Sequence, residues 1–116
     1  MVSVKVKFRP SSVVDMEGSI YYQIIHERKV RQLLTDYKIF PAEWNEKRSA
    51  IAIGSVPERK QVLLSINGQI RRDVERLMRI VMRFEDRRMP ISGDVLIDEF
   101  ERYMAEYSLF NYMESQ

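Results

Sequence analysis

The chain reads as an α+β protein: a three-stranded antiparallel β-sheet packed by a long C-terminal helix and followed by a short helical segment. Three observations predict this. Val2, Val4, Val6 and Phe8 alternate with Ser3, Lys5, Lys7 and Arg9, the period-two signature of a strand with one buried and one open face. Two more such stretches lie between Ile20 and Ile39. From about Val62 to Phe84 apolar residues return every three or four positions, which is the helical period.

The first strand has an apolar face and a cationic one. Lysines on an open face attract polyanions, and they equally deter edge-to-edge pairing; both readings stand for Lys5 and Lys7. Residues 11–18 lose the alternation and carry Asp15, Glu17 and Gly18, so they form a connecting loop, expected to be mobile or to contact a partner. Ile20, Tyr22, Ile24 and His26 then alternate with Tyr21, Gln23, Ile25 and Glu27. Charge interrupts at Glu27-Arg28-Lys29, and a third run extends from Val30 to Ile39, ended by Pro41. The result is a hairpin with a basic tip. If Ile20, Tyr22 and Ile24 join Val4, Val6 and Phe8 inside, Tyr21 and Gln23 stand outside with Lys5 and Lys7. Leu33 and Thr35 then point inward, Val30, Gln32 and Leu34 outward, and Arg31 toward the rim of the packed face. His26 falls on the inward phase and is expected to be partly buried and hydrogen-bonded, with no triad pattern around it.

Trp44 follows the third strand and is expected to cap one end of the core. Ser55, Pro57 and Glu58 form a helix-start signal. The helix is expected to run to about Arg88, with Val62 or Leu63, Ile66, Ile70, Val74, Leu77, Val81 and Phe84 on its apolar stripe. The stripe keeps its phase across Asn67-Gly68, which predicts one helix rather than two, although the glycine costs about 1 kcal/mol relative to alanine. So long a helix exceeds what a three-stranded sheet covers, and Leu77, Val81 and Phe84 require a further partner, either the final segment or a second copy. Met89-Pro90 ends it. Ser92 or Asp94 caps another helix bearing Val95, Leu96, Phe100, Tyr103, Met104 and Tyr107, and Ser108 begins a further one.

Composition bounds the function. The 116 residues are 45% hydrophobic and 31% charged, without cysteine and with one histidine. This is a globular balance, excludes thiolate chemistry and disulfides, and leaves a lone histidine unable to build a metal site. No apolar run spans a bilayer and no secretory signal precedes the first strand, so a cytoplasmic location is expected. The net charge of +2 is unevenly spread: residues 1–60 carry 11 Lys and Arg against 7 Asp and Glu, residues 61–90 carry 7 against 4, and residues 91–116 carry 1 against 6. A basic front and acidic tail suit a polyanion-binding module, or an ordinary domain whose charges cluster.

The Ile20-Tyr21-Tyr22-Gln23-Ile24 strand, the Thr35-Asp36-Tyr37-Lys38-Ile39 strand end and the following Pro41-Ala42-Glu43-Trp44-Asn45 resemble the N-terminal arm-type DNA-binding domain of tyrosine recombinases, the integrases of phages and conjugative transposons. The resemblance covers most of the chain. It implies an arm-type domain over residues 1–88 (sheet 1–54, long helix 56–88), then a linker helix and the truncated start of a helical core-binding domain over 89–116. It also implies that strand exchange belongs to a catalytic domain absent here, so no residue is assigned catalysis and no cofactor or metal is implied. The implied partners are double-stranded DNA and other recombinase protomers.

A small sheet can enter the major groove, where polar side chains reach base edges and basic ones reach phosphates. The candidate DNA contacts are Lys5, Lys7, Arg9, Arg28, Lys29 and Arg31 for phosphates, Gln23 and Gln32 for adenine, and Tyr21 for sugar or a hydroxyl hydrogen bond. Each is also an ordinary surface residue when taken singly. The arginines at 71, 72, 76, 79, 83, 87 and 88 give the helix a basic side, more in keeping with a solvated face than with DNA contact. The contending function is a helical protein-interaction or dimerisation module with the sheet as scaffold.

Overall fold

The computed structural model describes the backbone of residues 2–54 and 56–114 and side chains as far as Glu106. Strands β1 (Ser3–Arg9), β2 (Gly18–His26) and β3 (Lys29–Ile39) form an antiparallel sheet in the order β1-β2-β3. A 3₁₀ turn (Pro41–Glu43) and a minimal hairpin of β4 (Trp44–Asn45) and β5 (Ala50–Ile51) lead into helix α1 (Pro57–Asp86), and helix α2 (Gly93–Glu114) completes the chain. The fold is the expected α+β arrangement.

Strand phase follows the sequence pattern. Ile20, Tyr22, Ile24, Leu33 and Ile39 are buried, with Val4, Val6 and Phe8 packed against them. The β2–β3 turn has two residues, Glu27 (φ 49°) and Arg28 (φ 68°), between the paired His26 and Lys29. Positive φ at both central positions matches the right-handed twist of the flanking strands. Farther along, Ser19 pairs with Lys38 but Tyr21 pairs with Leu34, so Thr35, Asp36 and Tyr37 all lie opposite Ile20. The Thr35 hydroxyl donates to the Ile20 carbonyl at 2.6 Å and accepts from the Tyr37 amide at 3.2 Å. It thereby replaces ladder bonds lost at the bulge. Because two extra residues are inserted, the inward and outward phases of β3 survive on both sides of it.

Helix α1 is continuous for 30 residues, and Gly68 does not divide it. Pro57 occupies its first turn, where a missing N–H costs nothing; the cap proposed for Ser55 lies outside the described residues. Leu63, Ile70, Leu77, Ile80, Val81 and Phe84 are buried, whereas Val62 is exposed. The helix is anchored near its start by Glu43, which accepts two hydrogen bonds from Arg59 (2.8 and 2.7 Å) and one from the Phe40 amide at 2.8 Å. The Arg59 hydrogen bonds dominate and hold the Glu43 carboxyl below its ordinary pKa.

The partner required by the second half of α1 is supplied by the chain itself. Leu96 and Phe100 of α2 join Leu77, Ile80, Val81 and Phe84 in the same core as the sheet residues, so the core extends across the boundary drawn at residue 88. Ser92 caps α2 through its hydroxyl, which accepts from the Val95 amide at 3.2 Å. The helix start expected at Ser108 does not occur: α2 runs unbroken through it to Glu114. No glycine or proline interrupts residues 94–114, and a single serine weakens a helix interior by well under about 1 kcal/mol. The apolar roles expected of Tyr107, Leu109, Phe110, Tyr112 and Met113 lie outside the described side chains.

Sheet and helix are also joined by a polar contact absent from the sequence-based expectation. Asp73, 4% exposed, points from α1 into the core. Its Oδ2 accepts from the Tyr22 hydroxyl at 2.7 Å and from the Tyr37 hydroxyl at 2.8 Å. Burial first, then these bonds to Asp73, push both phenol pKa values upward. Trp44 packs as expected, its ring 6.0 Å from Phe8 and its Nε1 donating to Glu46 at 2.7 Å. His26 is partly buried, but its Nδ1 is enclosed without a hydrogen-bond partner among the described residues, which departs from the hydrogen-bonded expectation.

Candidate nucleic-acid interface

With the helices behind the sheet, its other face is open. Strand register sorts this face into rows across β1, β2 and β3. Lys5, Gln23 and Gln32 form one row, Lys7, Tyr21 and Leu34 the next, and Ser3, Ile25 and Val30 the row nearest the turn. Beyond the Tyr21 row, Arg9 pairs with Ser19 and Ser19 with Lys38. Lys5, Arg9, Gln32, Leu34 and Lys38 are exposed, and Lys7, Tyr21 and Gln23 are half-buried. Arg28 and Lys29 stand at the turn, so cationic groups occupy both ends of the face and its β1 edge.

Eight of the nine candidate contacts therefore lie on the open face or at the turn, where Lys29, paired with His26, shares the phase of the packed side. Arg31 does not. Its Nε donates to Asp94 Oδ1 at 2.9 Å, and a Cβ added at Gly93 would stand 3.0 Å from its Cγ. Alternation puts Arg31 on the side where α2 begins, and there its charge is paired rather than offered to a ligand. The same alternation extends the open face to Lys38, which the candidate set omits. It also exposes Leu34 (64%) and Val30 (46%), apolar groups that a purely electrostatic reading passes over.

Charge on this face is uncommitted. Among the described residues, Lys5, Lys7, Arg28, Lys29 and Lys38 have no ion-pair partner. Of the helix arginines, Arg71, Arg72, Arg79, Arg87 and Arg88 likewise have no ion-pair partner among the described residues, whereas Arg83 and Arg102 do. In the groove between α1 and α2, of about 480 Å³, the Arg76 guanidinium lies 4.7 Å from the Tyr103 ring centre. Glu99 approaches Arg83 at 3.7 Å and Arg102 at 3.3 Å. Carboxylates thus offset part of the groove's charge.

One internal contact orders the open face. The Arg9 side chain crosses β2, its guanidinium carbon 5.2 Å from the Tyr21 ring centre, and its Nη2 donates to Gln32 Oε1 on β3 at 2.7 Å. A guanidinium has no acceptor, so the amide oxygen of Gln32 must be the atom facing it. Among the described residues no three His, Asp or Glu side chains gather as a metal site, and no helix is long and apolar enough to cross a membrane. No family model, curated protein or solved structure matches the chain.

Proposed function

We propose that this chain is a double-stranded DNA-binding module that lays the open face of its three-stranded sheet in the major groove. The observation carrying this reading is the solvent-open face itself, in which unpaired cations surround a row of glutamines. Lys5, Lys7, Lys38, Arg28 and Lys29 supply phosphate attraction at its margins, while Gln23, Gln32 and Arg9 reach base edges, and Leu34 can meet a thymine methyl. On the resemblance of its strands to arm-type domains, the module belongs to a cytoplasmic site-specific tyrosine recombinase, recognises arm-type sites and supports DNA integration. Chemistry resides in a catalytic domain outside this chain, and other recombinase protomers are its protein partners. The contending reading, a helical protein-interaction or dimerisation module, rests on the length of α1, whose second half packs against α2.

The test is affinity for duplex DNA as a function of salt. Binding through phosphates releases counterions, so log affinity should fall linearly with log salt. Lys5→Ala and Lys7→Ala should each weaken binding to all sequences and lower the slope by about 1. Arg31→Ala removes the same charge on the opposite side and should leave the slope unchanged. Equal effects from all three would place DNA somewhere other than the open face, and salt-insensitive or absent binding would remove the function.

A further inference from the structure

We infer that Arg9 is a base-reading residue of the open face, that the base it reads is guanine, and that Tyr21 and Gln32 position it. This rests on the DNA-binding reading and deepens it. Residue type alone makes Arg9 a phosphate contact and Gln32 an adenine reader. The geometry assigns these roles differently.

Arg9 begins at the end of β1, but its guanidinium does not project from the sheet margin toward a phosphate strand. It lies across β2, on the Tyr21 ring, and reaches β3. A groove-bound sheet presents its middle strand to the base edges and its margins to the backbones, so a guanidinium over β2 stands where bases pass. Two contacts hold it there. The Tyr21 ring supports the flat side of the cation, and the Gln32 oxygen fixes its rotation through one N–H at 2.7 Å. One of its five N–H donors is used, which leaves enough for a two-bond fork.

Complementarity then selects the base. Guanine presents two adjacent acceptors, N7 and O6, in the major groove, whereas adenine presents N7 beside an N6 donor. A donor-only fork meets guanine with two hydrogen bonds and opposes the adenine amino group. Gln32 completes this asymmetry. Reading adenine requires both its amide oxygen and its amide nitrogen; the oxygen is turned to Arg9 and uses one of its two lone pairs there, so the two N–H donors make up most of what the amide directs to a ligand. Arg9 and Gln32 together form a donor surface matched to an acceptor-rich base edge.

The experiment is selection of binding sites from randomised duplex DNA by the full chain, followed by affinity measurements on the enriched site. The expected site contains a guanine whose replacement by adenine, or by 7-deazaguanine, weakens wild-type binding by roughly 5- to 150-fold. Arg9→Ala and Arg9→Lys should both abolish that difference; Arg9→Ala also removes a cation and so weakens binding to unselected DNA, whereas Arg9→Lys keeps the charge without the fork, which concentrates its loss on the guanine site. Gln32→Leu should reduce the preference. Gln32→Glu keeps an acceptor for Arg9 and should restore it, even though the added carboxylate lowers affinity for every sequence. Arg9 and Gln32 are exposed, and circular dichroism with a thermal midpoint confirms that each variant is folded. An enriched adenine sensitive to Gln32→Glu and indifferent to Arg9→Ala would overturn the inference, and so would an Arg9→Ala loss equal on all sequences. DNA binding without a guanine preference refutes this inference alone; no binding at any salt refutes the proposed function with it.

Discussion

Replacing Asp73 by alanine tests what joins the sheet to α1. The carboxylate is 4% exposed and accepts two tyrosine hydroxyls at 2.7 and 2.8 Å. Hydrogen bonds to a charged group contribute about 1.5–3 kcal/mol each, and a buried donor left without a partner costs about 1–3 kcal/mol. The two hydroxyls do not suffer equally. Tyr22 is fully buried, so its orphaned O–H has no access to water, whereas half-buried Tyr37 can recruit it. Against these losses stands the relief of no longer burying a carboxylate, which is itself several kcal/mol. The net expectation for Asp73→Ala is a loss of about 3 kcal/mol, a large part of the 5–15 kcal/mol that holds a typical domain together.

Urea unfolding of wild type and variant measures this directly, with an unchanged slope showing that the folded and unfolded states keep their exposed areas. Tyr37→Phe should cost about 1 kcal/mol, because one bond to Asp73 remains and water serves the other side. If Asp73→Ala lost less than 1 kcal/mol, the carboxylate would be paying its own desolvation in full, and the network would specify geometry without adding stability.

Two further outcomes follow from the same residues and from the turn. Tyr22 and Tyr37 have pKa values raised above the ordinary tyrosine value near 10, first by burial and then by bonds to Asp73. The folded state therefore keeps protons that the unfolded state releases: stability is full below about pH 10 and falls above it, by up to about 1.4 kcal/mol per pH unit for each tyrosine. Urea midpoints between pH 8 and 11 should decline, and less steeply in Tyr37→Phe; a flat profile would contradict the burial of these hydroxyls. At the β2–β3 turn, Arg28 holds φ at 68°, a region costing a non-glycine residue about 1–2 kcal/mol. Arg28→Gly, after the entropy cost of glycine, should raise stability by about 0.5 kcal/mol while weakening DNA affinity in a salt-dependent way, measured by urea unfolding and titration; a fall in stability would show that the arginine side chain is held by contacts at the tip.

Legibility in the sequence followed the strength of the periodicity. On β1 apolar and polar residues alternate cleanly, so burial phase could be read residue by residue; on β2 both phases carry large apolar residues, Tyr21 and Ile25 among the outward ones, and pairing with β1 sets the phase. Arg31 shows what happens when residue type is allowed to outweigh phase. Its charge suggested DNA, but alternation with Leu33 already put it on the helix side, where Asp94 pairs it. Lys38 was legible by the same alternation, because an insertion of two residues preserves the phase of β3 across the bulge. Asp73 lies between Ile70 and Leu77 at spacings of three and four, on the buried stripe itself. An acidic residue there, with tyrosines at the inward positions 22 and 37, is the available signal, a weak one because charged groups are seldom buried. The diagonal course of Arg9 had no sequence signal, since it depends on sheet twist and on which of several donors and acceptors meet.

Tyr21 and Tyr22 are adjacent on β2 and face opposite sides of the sheet, and they separate stability from recognition. The Tyr22 hydroxyl is tied to α1 through Asp73, whereas the Tyr21 ring lies beneath Arg9. Tyr22→Phe keeps the packed ring and removes one buried bond, so it should cost about 1–3 kcal/mol of stability and leave DNA affinity unchanged wherever the variant is folded. Tyr21→Ala should do the reverse: little change in urea midpoint, but reduced discrimination between sites, with Tyr21→Phe retaining it because the ring, not the hydroxyl, supports the guanidinium. A backbone ladder shared by both faces is what makes such independence expected, since the register of β2 is held by β1 and β3 and not by either side chain. Loss of site discrimination in folded Tyr22→Phe would mean that the helix behind the sheet also sets the shape of the face in front of it.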